Sequence, residues 1–299
     1  MTSRDSQERP RGERIRKDLD AFRAAAARLG LVRRPGEREP VLAECAPPAA
    51  EAEVAAVEAE IGRPLPATLR GFFLGTTAHL AAGWALPVTE TRNTEGIVRG
   101  TLDLMPPPRF CLHLKKYNTF EPLSDRGEIR ISLGEVASNW HEWQAILRDW
   151  RAPDPHDTPR GRARTRHLLD YLERGFPVMQ LADSEWLCID TTDPRERLAL
   201  MSQTTEDVPG VLLGQDLLDH LEHQGRLGFP GFEINLLSVF RDKPASIALR
   251  EAYAAPYDLA ELKRKHLHLP VASVTDADSE AGLAWRAWLF GLDNPAASA

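Results

Sequence analysis

From Arg11 the apolar positions Ile15, Leu19, Phe22, Ala26 and Leu29 recur at steps of three or four, the period of an amphipathic helix, and Gly30 supplies its end. The run EAEVAAVEAEIG from Glu51 places Val54, Val57 and Ile61 on one stripe with glutamates elsewhere, and Gly62 followed by Pro64 terminates it. In RPLPATLRGFFLGT, Leu65 lies between two prolines in an extended turn, and Pro66 starts a second short helix whose face is Leu69, Phe72 and Phe73. Further on, ISLGEVASNWHEWQAILRDW opens with a short apolar segment. It offers Ser132 as a cap with Glu135 three residues on, and continues as a helix faced by Val136, Trp140, Trp143 and Leu147. RTRHLLDYLERG is helical again, with Gly175 at its end.

Periodicity then shortens. Phe176, Val178, Met179 and Leu181 predict one strand, Trp186 to Ile189 a second and Leu198 to Met201 a third, separated by turn clusters at 182–184 and 192–196. An antiparallel meander follows from that spacing. The segment GVLLGQDLLDHLEHQGRLGF supplies one more helix, with Leu213, Leu217, Leu218 and Leu221 on one side. Two helices, a run of strands and a helix argue for an α+β architecture and against an alternating βαβ fold.

Three stretches break the periods. Between Arg33 and Ala50, Pro35, Gly36, Pro40, Pro47 and Pro48 predict a linker. Trp84 to Arg109 reads as an extended connection with short strands, and PDPHDTPRGRARTR as an exposed loop. From Pro230 the pattern becomes helical around Leu236, Ala248 to Tyr253, Leu259 to His266 and Leu283 to Phe290. The last of these gathers Trp285, Trp288, Leu289 and Phe290 at a spacing suited to docking on the body's own core. The predicted organisation is therefore an N-terminal helix and linker over 1–50, a domain over 51–229 and a helical extension over 230–299.

A chain of 299 residues buries enough surface to fold without disulfides or a structural metal. The three cysteines, Cys45, Cys111 and Cys188, form no CxxC pair and point to a reducing cytoplasm. The N-terminus carries positive charge with no apolar stretch of signal-peptide length, so secretion by that route is not expected, and no run of apolar residues is long enough to predict a membrane span. With 44 acidic against 37 basic residues the formal charge is -7, which disfavours nucleic acid as a general partner. That charge is unevenly spread: residues 1–40 hold 11 basic and 7 acidic side chains, whereas residues 183–222 hold ten acids against Arg195 and Arg197.

Residue types suited to catalysis occur in weak arrangements. Cys111 and His113 would share one strand face, His266 and His268 likewise, and His220 and His223 lie one helical turn apart. HLEH lacks the glutamate that follows the first histidine of a zincin helix, no nucleophile elbow flanks Cys111, and neither GxGxxG nor GxxxxGK[ST] is present. These readings leave a hydrolase or metal enzyme built on Cys111/His113 or on His220, His223, His266 and His268 as an alternative, with core burial preferred. No catalytic residue, metal or cofactor is assigned.

The order of elements and the segment VEAEIGRPLPATLRGFFLG resemble the SUKH superfamily, the Smi/Knr type of domain. The resemblance rests on Glu58 in the first helix, Gly62, the Leu65-Pro66 pair, and Phe72 and Phe73 before a glycine-bearing turn. The strand DSEWLCIDT resembles the family's too, through Leu187, Ile189 and Asp190, as does the helix from Gly214 to Phe229. Ser184 and Glu185 stand where a glycine is usual, and Gly75-Thr76-Thr77 where an asparagine-glycine is common. The resemblance implies an antiparallel-rich twisted sheet packed by helices, here with extra helical segments at both ends. It also implies binding rather than chemistry: an immunity protein that neutralises a toxin, a nuclease for example, by occlusion, or alternatively a housekeeping adaptor. The acidic segment then suggests a basic protein partner met by Asp183, Glu185, Asp193, Glu196, Glu206, Asp207, Asp216 and Asp219.

Overall fold

The computed structural model describes residues 5–33, 41–85, 88–92, 97–102, 111–115, 126–152, 158–181, 185–202, 211–213, 216–229, 283, 286–287 and 289–292. In chain order these form α1 (Asp5–Leu29), β1 (Leu42–Cys45), α2 (Glu51–Ile61), α3 (Ala67–Gly75), β2 (His79–Ala85), β3 (Val88–Arg92), β4 (Ile97–Leu102) and β5 (Cys111–Lys115). There follow β6 (Arg126–Ser132), α4 (Leu133–Arg151), α5 (Pro159–Leu172), β7 (Gly175–Gln180), β8 (Glu185–Asp190), β9 (Leu198–Ser202), β10 (Val211–Leu212) and α6 (Leu217–Arg226). The strands make three antiparallel sheets, ordered β1-β2-β6, β3-β4-β5 and β10-β9-β8-β7. The class is α+β, and the meander expected from residues 176–201 is β7–β8–β9, extended by β10.

Burial on β8 and β9 explains why this sheet is the frame. Leu187, Ile189, Leu198 and Leu200 face a main core that they share with α1, α2, α3, β2, β6 and α6. Trp186, Cys188, Ala199 and Met201 face the other way, into a second core with Trp143 and Leu147 of α4 and Leu168, Tyr171 and Leu172 of α5. A strand buried on both faces reads as continuously apolar, which is the pattern of EWLCID. Helix α4 serves both cores, Val136 and Ala137 in the main one and Trp143 and Leu147 in the second.

Several expectations change. The region read as a linker contains β1, which pairs with β2 in the register Leu42↔Gly83 to Cys45↔Leu80. Its flanking prolines hid a strand whose Ala43 and Cys45 pack on the core. Helix α5 begins inside the supposed loop, because Thr158 caps it through a 3.0 Å bond from the Gly161 amide to its hydroxyl and Pro159 sits at the first helical position. The helix expected from the GVLLGQ segment starts later, at Leu217, since Val211 and Leu212 pair with β9 and Asp216 provides the cap.

The main core also crosses the domain boundaries expected at 50 and 229. Ile15, Leu19, Phe22 and Ala26 of α1 lie within it, fully or almost fully buried, and so does Leu289 near the C-terminus. Phe22 stands 5.8 Å from the ring of Trp84 and 6.0 Å from that of Phe229, and the Trp84 indole donates to the Phe229 carbonyl at 3.1 Å. The helix expected around Leu283 to Phe290 is described only at 283, 286–287 and 289–290, where Leu289 fills the core role. Trp285, Trp288 and the other helices expected after Pro230 lie outside the described residues.

Candidate functional site

The residues that carry the SUKH resemblance converge on the junction between the α2–α3 clasp and the meander. Helix α2 ends at Gly62, whose φ of 72° is the left-handed conformation that glycine adopts without strain. The Glu58 carboxylate accepts the Leu65 amide at 3.0 Å, which closes the turn between the helices. Leu65 is buried, Pro66 occupies the N-cap of α3, and Phe72 and Phe73 enter the core with ring centroids 5.4 Å apart. Across the junction, Leu187 and Ile189 complete the same core and deliver Asp190 to the end of β8.

Asp190 is buried and organises the β8–β9 turn. Its carboxylate accepts the Arg174 guanidinium at 2.5 Å, the Thr192 amide at 2.9 Å and the Thr192 hydroxyl at 2.7 Å. Asp193, in the same turn, accepts the Arg195 amide at 2.8 Å and pairs with Arg197. Burial alone would push its carboxyl up, but those donors outweigh burial and hold it below the usual carboxylate value. Glu196 closes the turn at φ 51°, unusual for a residue with a side chain, and its carboxylate accepts the amides of Ala67 at 2.9 Å and Thr68 at 2.6 Å. A side chain of the meander thus caps the helix of the distant clasp.

The rest of the acidic segment meets the basic arm. Helices α1 and α6 run side by side in the same direction, and Asp216, Asp219 and Glu222 of α6 face Arg11 and Arg14 of α1. Arg11 lies 3.3 Å from Asp216 and 3.4 Å from Glu222 and also pairs with Asp219, while Arg14 reaches Glu222 at 2.6 Å. Burial lowers the Arg11 value, yet the three carboxylates outweigh it and hold the guanidinium above its ordinary value. Burial and then Asp216 push the Asp219 carboxyl up, and Arg11 only partly offsets them. The basic and acidic regions that are far apart in the chain are therefore neighbours, and their described side chains pair with one another.

Of the eight acids expected on a binding surface, Asp193 and Glu196 hold the frame and Asp216 and Asp219 form the α1–α6 seam. Asp219 is the most accessible of the seam acids, its side chain 53% exposed. Asp183, Glu206 and Asp207 lie outside the described residues, as does the side chain of Glu185. The sequence could not show the seam, because ion pairs across about 200 positions have no periodic signature. In the sequence α1 shows as an amphipathic stripe with a basic surplus, and nothing there pairs it with α6.

Among the catalytic and metal candidates, Cys111 and His113 alternate on β5, opposite Thr101 and Arg99 of β4, with side chains outside the described residues. His220 is fully buried, its Nε2 3.3 Å from the Gln224 amide nitrogen. Burial, assisted by neighbouring His223, pulls its pKa down to about 3 and keeps the ring neutral. His266 and His268 lie outside the described residues. Cys188 is a buried thiol pushed up by burial, and Cys45 is half-buried and donates weakly to the Ala46 carbonyl at 3.6 Å. Among the described residues, no three His, Cys, Asp or Glu side chains converge as metal ligands, and no helix is long and apolar enough to cross a membrane.

No family model, curated protein or solved structure matches the chain.

Proposed function

We propose that this chain is a non-catalytic protein-binding protein of the SUKH type, an immunity protein that neutralises a basic toxin domain, such as a nuclease, by occluding it. The observation that carries the reading is the use made of the motif residues. Glu58, Gly62, Leu65, Pro66, Phe72, Phe73, Leu187, Ile189 and Asp190 each hold the clasp, the core or the meander turn, as expected of a scaffold whose specificity lies in its surface. The α1–α6 seam supports the basic partner. Among the described residues three carboxylates face two guanidiniums there, and burial and Asp216 raise the pKa of the exposed Asp219, so an added cationic side chain would meet a favourable site. The free thiols Cys45 and Cys188 fit a reducing cytoplasm.

The test is co-purification of the full chain with a basic toxin domain encoded by a neighbouring reading frame, at low and high salt, together with inhibition of that toxin. Asp219→Lys is the informative charge reversal, because reversal at Asp193 or Glu196 would disturb the frame. The expected result is salt-sensitive binding and inhibition, both weakened by Asp219→Lys at a temperature where the melt of that variant shows it folded. Binding indifferent to salt and to that substitution overturns the electrostatic contact, and failure to inhibit any such neighbour overturns the immunity reading.

A further inference from the structure

At its C-terminal end the α1–α6 seam opens into a groove of about 450 Å³, within the span of roughly 300–1,000 Å³ found for small-molecule sites. Its floor is made of small residues. Ala21 and Ala24 stand exposed on α1, and Gly225 of α6 lets the helices approach closely: a Cβ there would come within 2.8 Å of Asp18. Three guanidiniums from three separate elements line it, Arg28 of α1, Arg226 of α6 and Arg286 near the C-terminus. Arg28 also donates to the Leu289 carbonyl at 2.7 Å, which ties the C-terminal segment to α1.

Among the described lining residues the carboxyl is Asp18, whose pKa burial and then nearby Glu222 raise despite Arg226, Arg286 and Arg14. The remaining wall is apolar. Phe290 is half-buried and Leu292, at 54% exposure, is the exposed large hydrophobic residue among those described. A groove lined both by arginines, which Asp18 and the Leu289 carbonyl already engage, and by aliphatic and aromatic side chains is matched by a ligand of the same two characters. Guanidinium favours a planar carboxylate, which it can bind in two places. The apolar wall would leave a bare, strongly hydrated anion uncompensated on one side.

We propose that this groove binds a small amphipathic carboxylate, its apolar body lying along the alanine floor beside Phe290 and Leu292 and its carboxylate among Arg28, Arg226 and Arg286. This assignment is independent of the toxin reading and concerns a separate end of the seam. Bound there, the ligand would link α1, α6 and the C-terminal segment.

Calorimetric titration of the full chain with octanoate tests it, against acetate and inorganic phosphate as anions without an apolar body and octanol as the body without charge. Octanoate is expected to bind at least about tenfold more tightly than any of the three, a factor set by one charge-assisted hydrogen bond. Arg226→Gln should weaken octanoate by about tenfold or more, and Asp18→Asn should tighten it by removing the competing carboxyl. Ala24→Trp, at an exposed position, should block the groove without lowering the melting temperature, so the test survives if Arg226→Gln fails to fold. Equal binding of octanol would reduce the groove to an apolar patch and overturn the proposal. Equal binding of acetate or phosphate, or octanoate binding untouched by Arg226→Gln and Ala24→Trp, would overturn it as well.

Discussion

The carboxylate of Glu196 accepts the backbone amide of Thr68 at 2.6 Å, so a turn between two strands serves as the N-cap of a helix 128 positions earlier in the chain. Pro66, the residue at that cap position, has no side-chain oxygen to offer, and the helix start would otherwise leave its amides without a partner. Removing this carboxylate with Glu196→Ala should cost about 1–2 kcal/mol, as for other caps, measured by urea denaturation. Glu196→Gly should cost less than Glu196→Ala, because glycine adopts the φ of 51° without strain. An alanine variant as stable as the parent would show that the cap contributes nothing.

His220 makes stability depend on acid. Its folded value of about 3 lies below the ordinary 6.5, so the unfolded chain carries the extra proton in between. The stabilisation is complete above pH 6.5 and is lost as pH falls toward 3, at about 1.4 kcal/mol per pH unit. Asp18 and Asp219 act in the opposite sense: raised above 3.8, they stabilise most below that value and less as pH rises past their folded values. Denaturation midpoints at pH 7 and pH 5 should differ in the parent and converge in His220→Gln. A parent whose stability is flat over that range contradicts the neutral, buried ring.

The α1–α6 seam should respond to salt. Arg11→Ala removes the guanidinium that pairs with Asp216, Asp219 and Glu222, which should cost about 1 kcal/mol in dilute buffer. Added sodium chloride should recover much of that loss, since the side chains are partly exposed and their repulsion is screened. Thermal melts in low and high salt read this directly, and a loss of equal size in both would assign the effect to packing of the arginine stem instead.

Leu289 tests whether the C-terminal segment belongs to the body. It is fully buried, and Gly228, at φ 77°, makes room for its side chain beside Phe22. Leu289→Ala should cost about 2–4 kcal/mol by analogy with other buried leucines. Deleting residues 282–299 should yield insoluble or strongly destabilised protein by uncovering Phe22 and Phe229. A soluble truncation with an unchanged melt would make the segment an interface element rather than part of the core.

Local chemistry was the readable part of this chain. Apolar spacing marked α3, α4 and α6, through leucine, phenylalanine and tryptophan, and alternation bounded by turn residues marked β7, β8 and β9 at nearly their observed limits. What composition hid were β1, enclosed by prolines, and the first turns of α5, where Thr158 and Pro159 outweigh an arginine-rich, loop-like sequence. The acidic segment was visible as a count of charges, but its partners were not. Arg174, Arg197, Arg11 and the α3 amides meet it only after the sheet has folded, so residues that looked like a surface proved to include the ties that hold the frame.

Strand β8 places Leu187 and Ile189 in one core and Trp186 and Cys188 in the other. A slip of one residue in its pairing with β7 or β9 would exchange the contents of both cores at once, so register errors are penalised twice. Neither core can loosen without withdrawing support from a strand the other needs. The two cores should therefore unfold together in one concerted step, with the amides of Trp186 to Ile189 among the last to exchange their hydrogens with solvent.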